Sequence, residues 1–139
     1  MRTVFADAVY WIAIVKPNDP WLIDAMAARK RLGKTRIVTT EEVLGELLAA
    51  LRKGPFLRHL AVKMVRAILS NPNVRVVPQS RDSFQKGLVR YDARRDKHYS
   101  LQDCISMNVM ESKSITEVLT NDHHFEQEGF TVLMTRDNS

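Results

Sequence analysis

Cysteine is nearly absent from this chain of 139 residues, in which Cys104 stands alone. An internal disulfide is therefore excluded, and one cysteine with four scattered histidines draws no four-ligand zinc arrangement. Glycine is scarce as well, five in all, with no Gly-rich loop of the kind that cradles phosphates, which argues against a nucleoside triphosphatase. The longest apolar run, Ala8 to Val15, falls far short of the roughly 20 residues of a membrane span. The N-terminus reaches Asp7 too early for a secretory signal. No repeat, low-complexity tract or Gly/Ser linker interrupts the chain, so residues 1–139 read as one domain, long enough to bury a conventional core. Apolar residues at 45% and charged ones at 27% exclude disordered and fibrous classes. The expectation is a soluble, cytoplasmic protein of a reducing compartment.

Acidic residues are missing from a long central stretch. Between Glu46 and Asp82 there is none, while Arg52, Lys53, Arg58, Lys63, Arg66, Arg75 and Arg81 all fall there. A second basic group, Lys86, Arg90, Arg94, Arg95 and Lys97, is diluted only by Asp92 and Asp96. Like charges three or four residues apart oppose a helix, so a face left basic carries a small cost and implies a use. With a net charge of +5, the use that fits is a track for a phosphate backbone, against the plainer alternative of a solubilising surface.

Short apolar strands alternate with helical periodicities along the chain. Strands are expected at Val4-Phe5-Ala6, Arg36-Ile37-Val38, Val74 to Val77, Val118-Leu119-Thr120 and Thr131 to Leu133. Helices are expected from Pro20 to about Gly33, from a Thr39-Thr40 cap to about Arg52, from Pro55 to before Pro72, from Asp82 to about Tyr91, from Ser100 to Ser112, and briefly from Asp122. Such alternation indicates a three-layer α/β/α sandwich on a mainly parallel central sheet, where sites gather at the carboxyl ends of the strands.

That rule singles out four acids. Asp7 directly follows the first strand, and Asp122 follows a late strand at a helix start. Asp103 sits in the first turn of the Ser100 helix, and Glu46 in the middle of the Thr40 helix. Each has a plainer reading: turn residue for Asp7, helix cap for Asp122, the far half of a capping box with Ser100 for Asp103, solvated face for Glu46. Ser106, Met107 and Met110 share the face of Asp103, however, which places its carboxylate on an inward stripe. Carboxylates crowded at strand ends raise one another's pKa unless a cation neutralises them, and a carboxylate-only set favours Mg²⁺ or Mn²⁺ over zinc.

Four blocks in order carry a family resemblance over about residues 2 to 133. They are Val4-Phe5-Ala6-Asp7; Val38-Thr39-Thr40-Glu41-Glu42-Val43-Leu44-Gly45-Glu46-Leu47; Arg95-Asp96-Lys97-His98-Tyr99-Ser100-Leu101-Gln102-Asp103-Cys104; and Leu119-Thr120-Asn121-Asp122-His123-His124-Phe125. The chain resembles the PIN-domain ribonucleases that form the toxin half of VapBC-type toxin–antitoxin pairs. The resemblance implies an acidic quartet at Asp7, Glu46, Asp103 and Asp122. It also implies Mg²⁺- or Mn²⁺-dependent endonucleolytic cleavage of RNA by an activated water, an antitoxin that covers the groove, and a homodimer that extends it. Asp96 and Ser100 are candidate auxiliary residues, and Arg52, Lys53, Arg58, Lys63, Arg94 and Arg95 are candidate RNA contacts.

One departure matters. Family members commonly carry Thr or Ser, then Ser or Asn, after the first Asp, and here Ala8 and Val9 stand there. Loss of such supporting groups costs 10- to 100-fold in metal affinity or activity. That keeps open a degenerate domain that binds RNA or a protein partner without cutting. A phosphohydrolase of the haloacid-dehalogenase kind needs a second Asp at position 9, which is Val. His123 and His124 are expected on a short surface helix, exposed, with Phe125 buried beneath them. Cys104 reads as a small core residue. Tyr10, Trp11 and Trp21 offer faces on which bases could stack, although Trp11 lies in an apolar run that fits a core or a dimer interface.

Overall fold

The computed structural model describes residues 1–136. Five strands, β1 (Arg2–Ala6), β2 (Thr35–Thr40), β3 (Val74–Val77), β4 (Glu117–Leu119) and β5 (Thr131–Val132), form one sheet in the order β3-β2-β1-β4-β5. Every pairing is parallel. Between the strands run α1 (Ala8–Val15), α2 (Leu22–Leu32), α3 (Glu41–Ala50), α4 (Pro55–Ser70), α5 (Arg81–Ala93), α6 (Leu101–Ser112) and α7 (His124–Gln127).

Parallel crossovers are right-handed, so the walk β1→β2→β3 places α1 to α4 on one face and the return to β4 and β5 places α5 to α7 on the other. Accordingly, α1 packs on α2, α3 and α4, while α5 packs on α6. The result is the expected α/β/α sandwich. Its core is built from Val4, Phe5, Val118 and Leu119 of the central strands with Leu47, Met107, Met110 and Phe125 from the flanking helices, all fully buried. The α5–α6 crossing is close: a Cβ at Gly87 would stand 2.6 Å from Ile105 Cγ1.

The expected elements are present with shifted ends. Gly33, at φ +63°, ends α2, Thr40 caps α3 by accepting the Val43 amide at 3.0 Å, and Ser100 caps α6. Thr39 belongs instead to the strand and bonds the Ala6 carbonyl at 2.8 Å. The apolar run Ala8–Val15, which carried no element in the sequence reading, is helix α1. Its Trp11 is buried and donates from Nε1 to Thr39 Oγ1 at 3.3 Å, so it is a core residue and offers no stacking face.

Candidate active site and metal centre

The order of the strands reverses at β1: the chain leaves it first toward β2 and later returns to its other side as β4. In open parallel sheets, the crevice beyond the carboxyl ends at such a point is where ligands bind. Register decides what stands there. Ala6 pairs with Leu119, so the next residues, Asp7 and Thr120, emerge side by side. The Thr120 hydroxyl donates to Asp7 Oδ2 at 2.9 Å, and its oxygen accepts the Asp122 amide at 3.2 Å. Asp7 also occupies the N-cap position of α1 but makes no capping bond with its side chain, which is turned toward Thr120 instead.

Two further acids arrive on helices. Asp103, in the first turn of α6, receives the Ser100 amide on Oδ2 at 3.0 Å, while Ser100 Oγ accepts the Asp103 amide at 3.0 Å. The capping box and an inward-facing carboxylate are thus the same residue, not alternatives. The hydroxyl proton of Ser100 is left as a donor. Glu46, half-buried on α3, feels the charges of Asp7, Asp103 and Asp122. Asp7, Asp103 and Asp122 thus gather at the carboxyl edge of the sheet, near enough to Glu46 for their charges to act on it.

The electrostatics follow from that crowding. Burial pushes the Asp7 carboxyl up to about 6, with the Thr120 hydroxyl and the Ala8 amide holding it back and the charges of Asp103 and Asp122 adding to the rise. Glu46 is pushed up to about 7 by burial and then by the three neighbouring acids. Asp103 is raised by burial and by Asp122, against the stabilising bonds from Ser100. A cation placed among these groups would relieve each of these penalties.

His124 was expected to be exposed and is half-buried. Its side chain is 32% exposed, whereas that of His123 is 76% exposed. Its Nδ1 is buried, lies 3.3 Å from Asp122 Oδ1 and 4.0 Å from Asp103 Oδ2, and has no hydrogen-bond partner. Among the described residues, Asp103, Asp122 and His124 form a cluster whose ligating atoms all lie within 4.8 Å of one another. The ring is held from behind. Tyr99 meets it edge to face at 5.4 Å, and the Tyr99 hydroxyl donates to Glu128 Oε2 at 3.1 Å. Glu128 in turn pairs with the buried Arg90 at 2.7 Å. Thr120 and His124 are the site residues that sequence reasoning missed. The signal for Thr120 was a hydroxyl two residues before an acid at a strand end; nothing in His123-His124 distinguished the inward ring from the outward one.

Other candidates lie elsewhere. Asp96 is 80% exposed and faces Lys97 at 3.9 Å rather than the acids. Of the neighbouring cations, Arg94 bonds Glu128 at 3.0 Å and Arg95 bonds Asp92 at 2.6 Å. Arg52, Lys53, Arg58 and Lys63 are exposed, and among the described residues none of them pairs with a carboxylate. Arg52 bonds the Ala49 carbonyl and Arg58 the Arg52 carbonyl, which ties the α3–α4 turn together. Ala8 is buried and Val9 half-buried, so the two positions that lack a hydroxyl or amide lie directly beside Asp7.

The donors suit a divalent cation: clustered carboxylates supply hard oxygens, and the buried Nδ1 of His124, beside two of them, makes no hydrogen bond among the described residues.

A doubly wound parallel sheet with carboxylates gathered at its switch point defines an α/β/α domain with an acidic crevice. The chain belongs to the PIN domain family, whose model matches residues 4–137. Among solved structures it is similar to Mycobacterium tuberculosis VapC20, a sarcin–ricin loop cleaving toxin. That match has a TM-score of 0.82 and 23% identity, and covers 92% of this chain and 96% of the other. It is also similar to VapBC2 from Rickettsia felis, bound to a DNA fragment from its promoter, at a TM-score of 0.66 and 10% identity over 94% of this chain and 96% of the other. At these identities the likeness is one of fold. No curated protein matches significantly by sequence. No helix among the described residues is long and apolar enough to cross a membrane.

Proposed function

We propose that this chain is a divalent-metal-dependent endoribonuclease of the VapC kind, neutralised by a partner antitoxin. The observation that carries the reading is Asp7, Asp103 and Asp122 gathered beyond β1 and β4, with their charges acting on Glu46, in a chain of the PIN family. The quartet would hold Mg²⁺ or Mn²⁺. When bound, the ion supplies positive charge to the scissile phosphate and acidity to the attacking water. The chain's own residues do the rest. Thr120 sets Asp7 and Asp122, Ser100 sets Asp103, and the unpaired cations Arg52, Lys53, Arg58 and Lys63 draw in the phosphate backbone, with Arg94 and Arg95 at its margin. Likeness to a toxin that cleaves the sarcin–ricin loop favours a structured RNA as substrate.

Likeness to a VapBC complex supports an antitoxin as partner. A basic side chain from such a partner would take the cation's place among the carboxylates and block the site by charge-assisted hydrogen bonds. Pairing of two copies, which would extend the basic surface, belongs to the same reading. The missing hydroxyl and amide at Ala8 and Val9 favour one other reading, a domain that binds RNA without cutting it.

Cleavage of a panel of single-stranded and structured RNAs by pure protein, with Mn²⁺, Mg²⁺ or chelator, separates the two readings. Asp103→Asn, purified in parallel, is the control. The expected result is metal-dependent cutting that disappears in Asp103→Asn. RNA binding without cutting, unchanged in Asp103→Asn, would replace the nuclease by the binding domain.

A further inference from the structure

The quartet accounts for the acids but leaves His124 unexplained. Its Nδ1 is sealed from water and has no hydrogen-bond partner, although two carboxylates stand 3.3 and 4.0 Å away. A buried polar atom without a partner is costly and rare, and a bound ion is one of the few things that accounts for it. Neighbours also fix the ring in place, as the surroundings of a ligating imidazole do. Tyr99 packs against it, Asp122 Oδ1 accepts the His124 amide at 2.9 Å, and Tyr99 is itself anchored through Glu128 to Arg90. Its neighbour His123 is exposed and pairs with Glu126, three residues on.

We propose that His124 is a direct nitrogen ligand of the divalent cation, binding through Nδ1 beside the carboxylates of Asp103 and Asp122. The inference rests on the metal site of the preceding section and extends it. A mixed nitrogen and oxygen donor set shifts selectivity. At a site with a nitrogen donor, affinity rises along the first-row series from Mn²⁺ to Co²⁺, whereas Mg²⁺, served by carboxylate and water, gains little. The chain therefore prefers Mn²⁺ and Co²⁺ to Mg²⁺ to a degree that a carboxylate-only quartet does not.

Direct titration of the apo protein with Mn²⁺, Co²⁺ and Mg²⁺ tests this in wild type, His124→Ala and His123→Ala. His124→Ala is expected to weaken Mn²⁺ and Co²⁺ by about 10- to 100-fold, the range seen even for groups that only support a ligand. Mg²⁺ affinity changes far less, and His123→Ala behaves as wild type. Electron spin-echo spectroscopy of the Mn²⁺-loaded wild type needs no variant and is expected to show coupling to a nitrogen nucleus. Equal Mn²⁺ affinity in His124→Ala, or no nitrogen coupling in the wild type, would overturn the assignment while leaving a carboxylate metal site standing. Failure of the wild type to bind any of the three ions would overturn the metal reading itself.

Discussion

The Thr120 hydroxyl donates to Asp7 Oδ2 at 2.9 Å and its oxygen receives the Asp122 amide at 3.2 Å, so one side chain positions two of the four carboxylates. Thr120 is fully buried and so is its bond to Asp7, which keeps water from replacing that bond. Thr120→Val keeps the shape and deletes both bonds. Leaving buried polar groups unsatisfied costs about 1–3 kcal/mol, and the variant is expected to lose that much stability in urea unfolding. Its Mn²⁺ affinity should fall as well, whereas Thr120→Ser should retain most of both. Wild-type metal binding in Thr120→Val would show that the hydroxyl does not position the acids.

The raised carboxyls of Asp7 and Glu46 make apo stability depend on pH in an unusual direction. A carboxyl whose pKa is higher in the folded state keeps its proton where the unfolded chain has lost it. Between about pH 4 and 7 the folded protein thus binds more protons, and its stability falls as pH rises through that window. For Asp7 the loss at neutral pH is on the order of 3 kcal/mol. Divalent cations need the ionised carboxylates, so the rise in melting temperature on adding Mn²⁺ should be small near pH 5 and large near pH 8. Asp7→Asn should be more stable than wild type without metal at neutral pH, and should lose most of the metal response. Melting curves across pH, with and without Mn²⁺, decide the matter. A metal response of full size in Asp7→Asn would remove Asp7 from the site.

Much of this arrangement was legible because register and periodicity are local. Strand ends followed by acids, and a capping box followed by an apolar stripe, already located Asp7, Asp103 and Asp122. Helix α1 was not legible. Its sequence, Ala8-Val9-Tyr10-Trp11-Ile12-Ala13-Ile14-Val15, is rich in β-branched and aromatic residues that disfavour a helix in isolation. Packing against α2, α3 and α4 overrides that preference. The role of His124 was hidden for a different reason. The orientation of one histidine in a pair depends on Tyr99, which is remote in sequence, meets the ring only in the folded chain and is itself fixed by Glu128.

Two glycines in helices give opposite expectations. Gly87 lies where α5 crosses α6, and an added methyl would stand 2.6 Å from Ile105 Cγ1 and 3.2 Å from Leu101 Cδ1. Overpacking of this kind costs about 1–3 kcal/mol, more than the 0.5–1 kcal/mol that alanine gains over glycine in a helix. Gly87→Ala should therefore destabilise the protein. Gly45, in the middle of α3, is exposed and meets nothing within 4 Å. Gly45→Ala should stabilise it by about 0.5–1 kcal/mol. Urea unfolding of both variants checks the pair, and a stabilised Gly87→Ala would mean that the two helices separate at little cost.

The basic residues divide by whether their charge is already matched. Arg58 and Lys63 on α4 are exposed, and among the described residues neither meets a carboxylate. Arg95 is bound by Asp92, and Arg94 by the buried Glu128. A cation held by an acid must give up that partner to meet a phosphate, whereas a free one only sheds counterions. Charge reversal at Arg58 or Lys63 should thus weaken RNA binding and lower the slope of log affinity against log salt by about one per lost phosphate contact. Reversal at Arg95 should change the slope less. Binding of a short RNA to catalytically silent Asp103→Asn protein, measured over a range of salt, gives the slopes without cleavage. An unaltered slope for both α4 variants would move the RNA track off that helix and onto the α5–α6 side of the molecule.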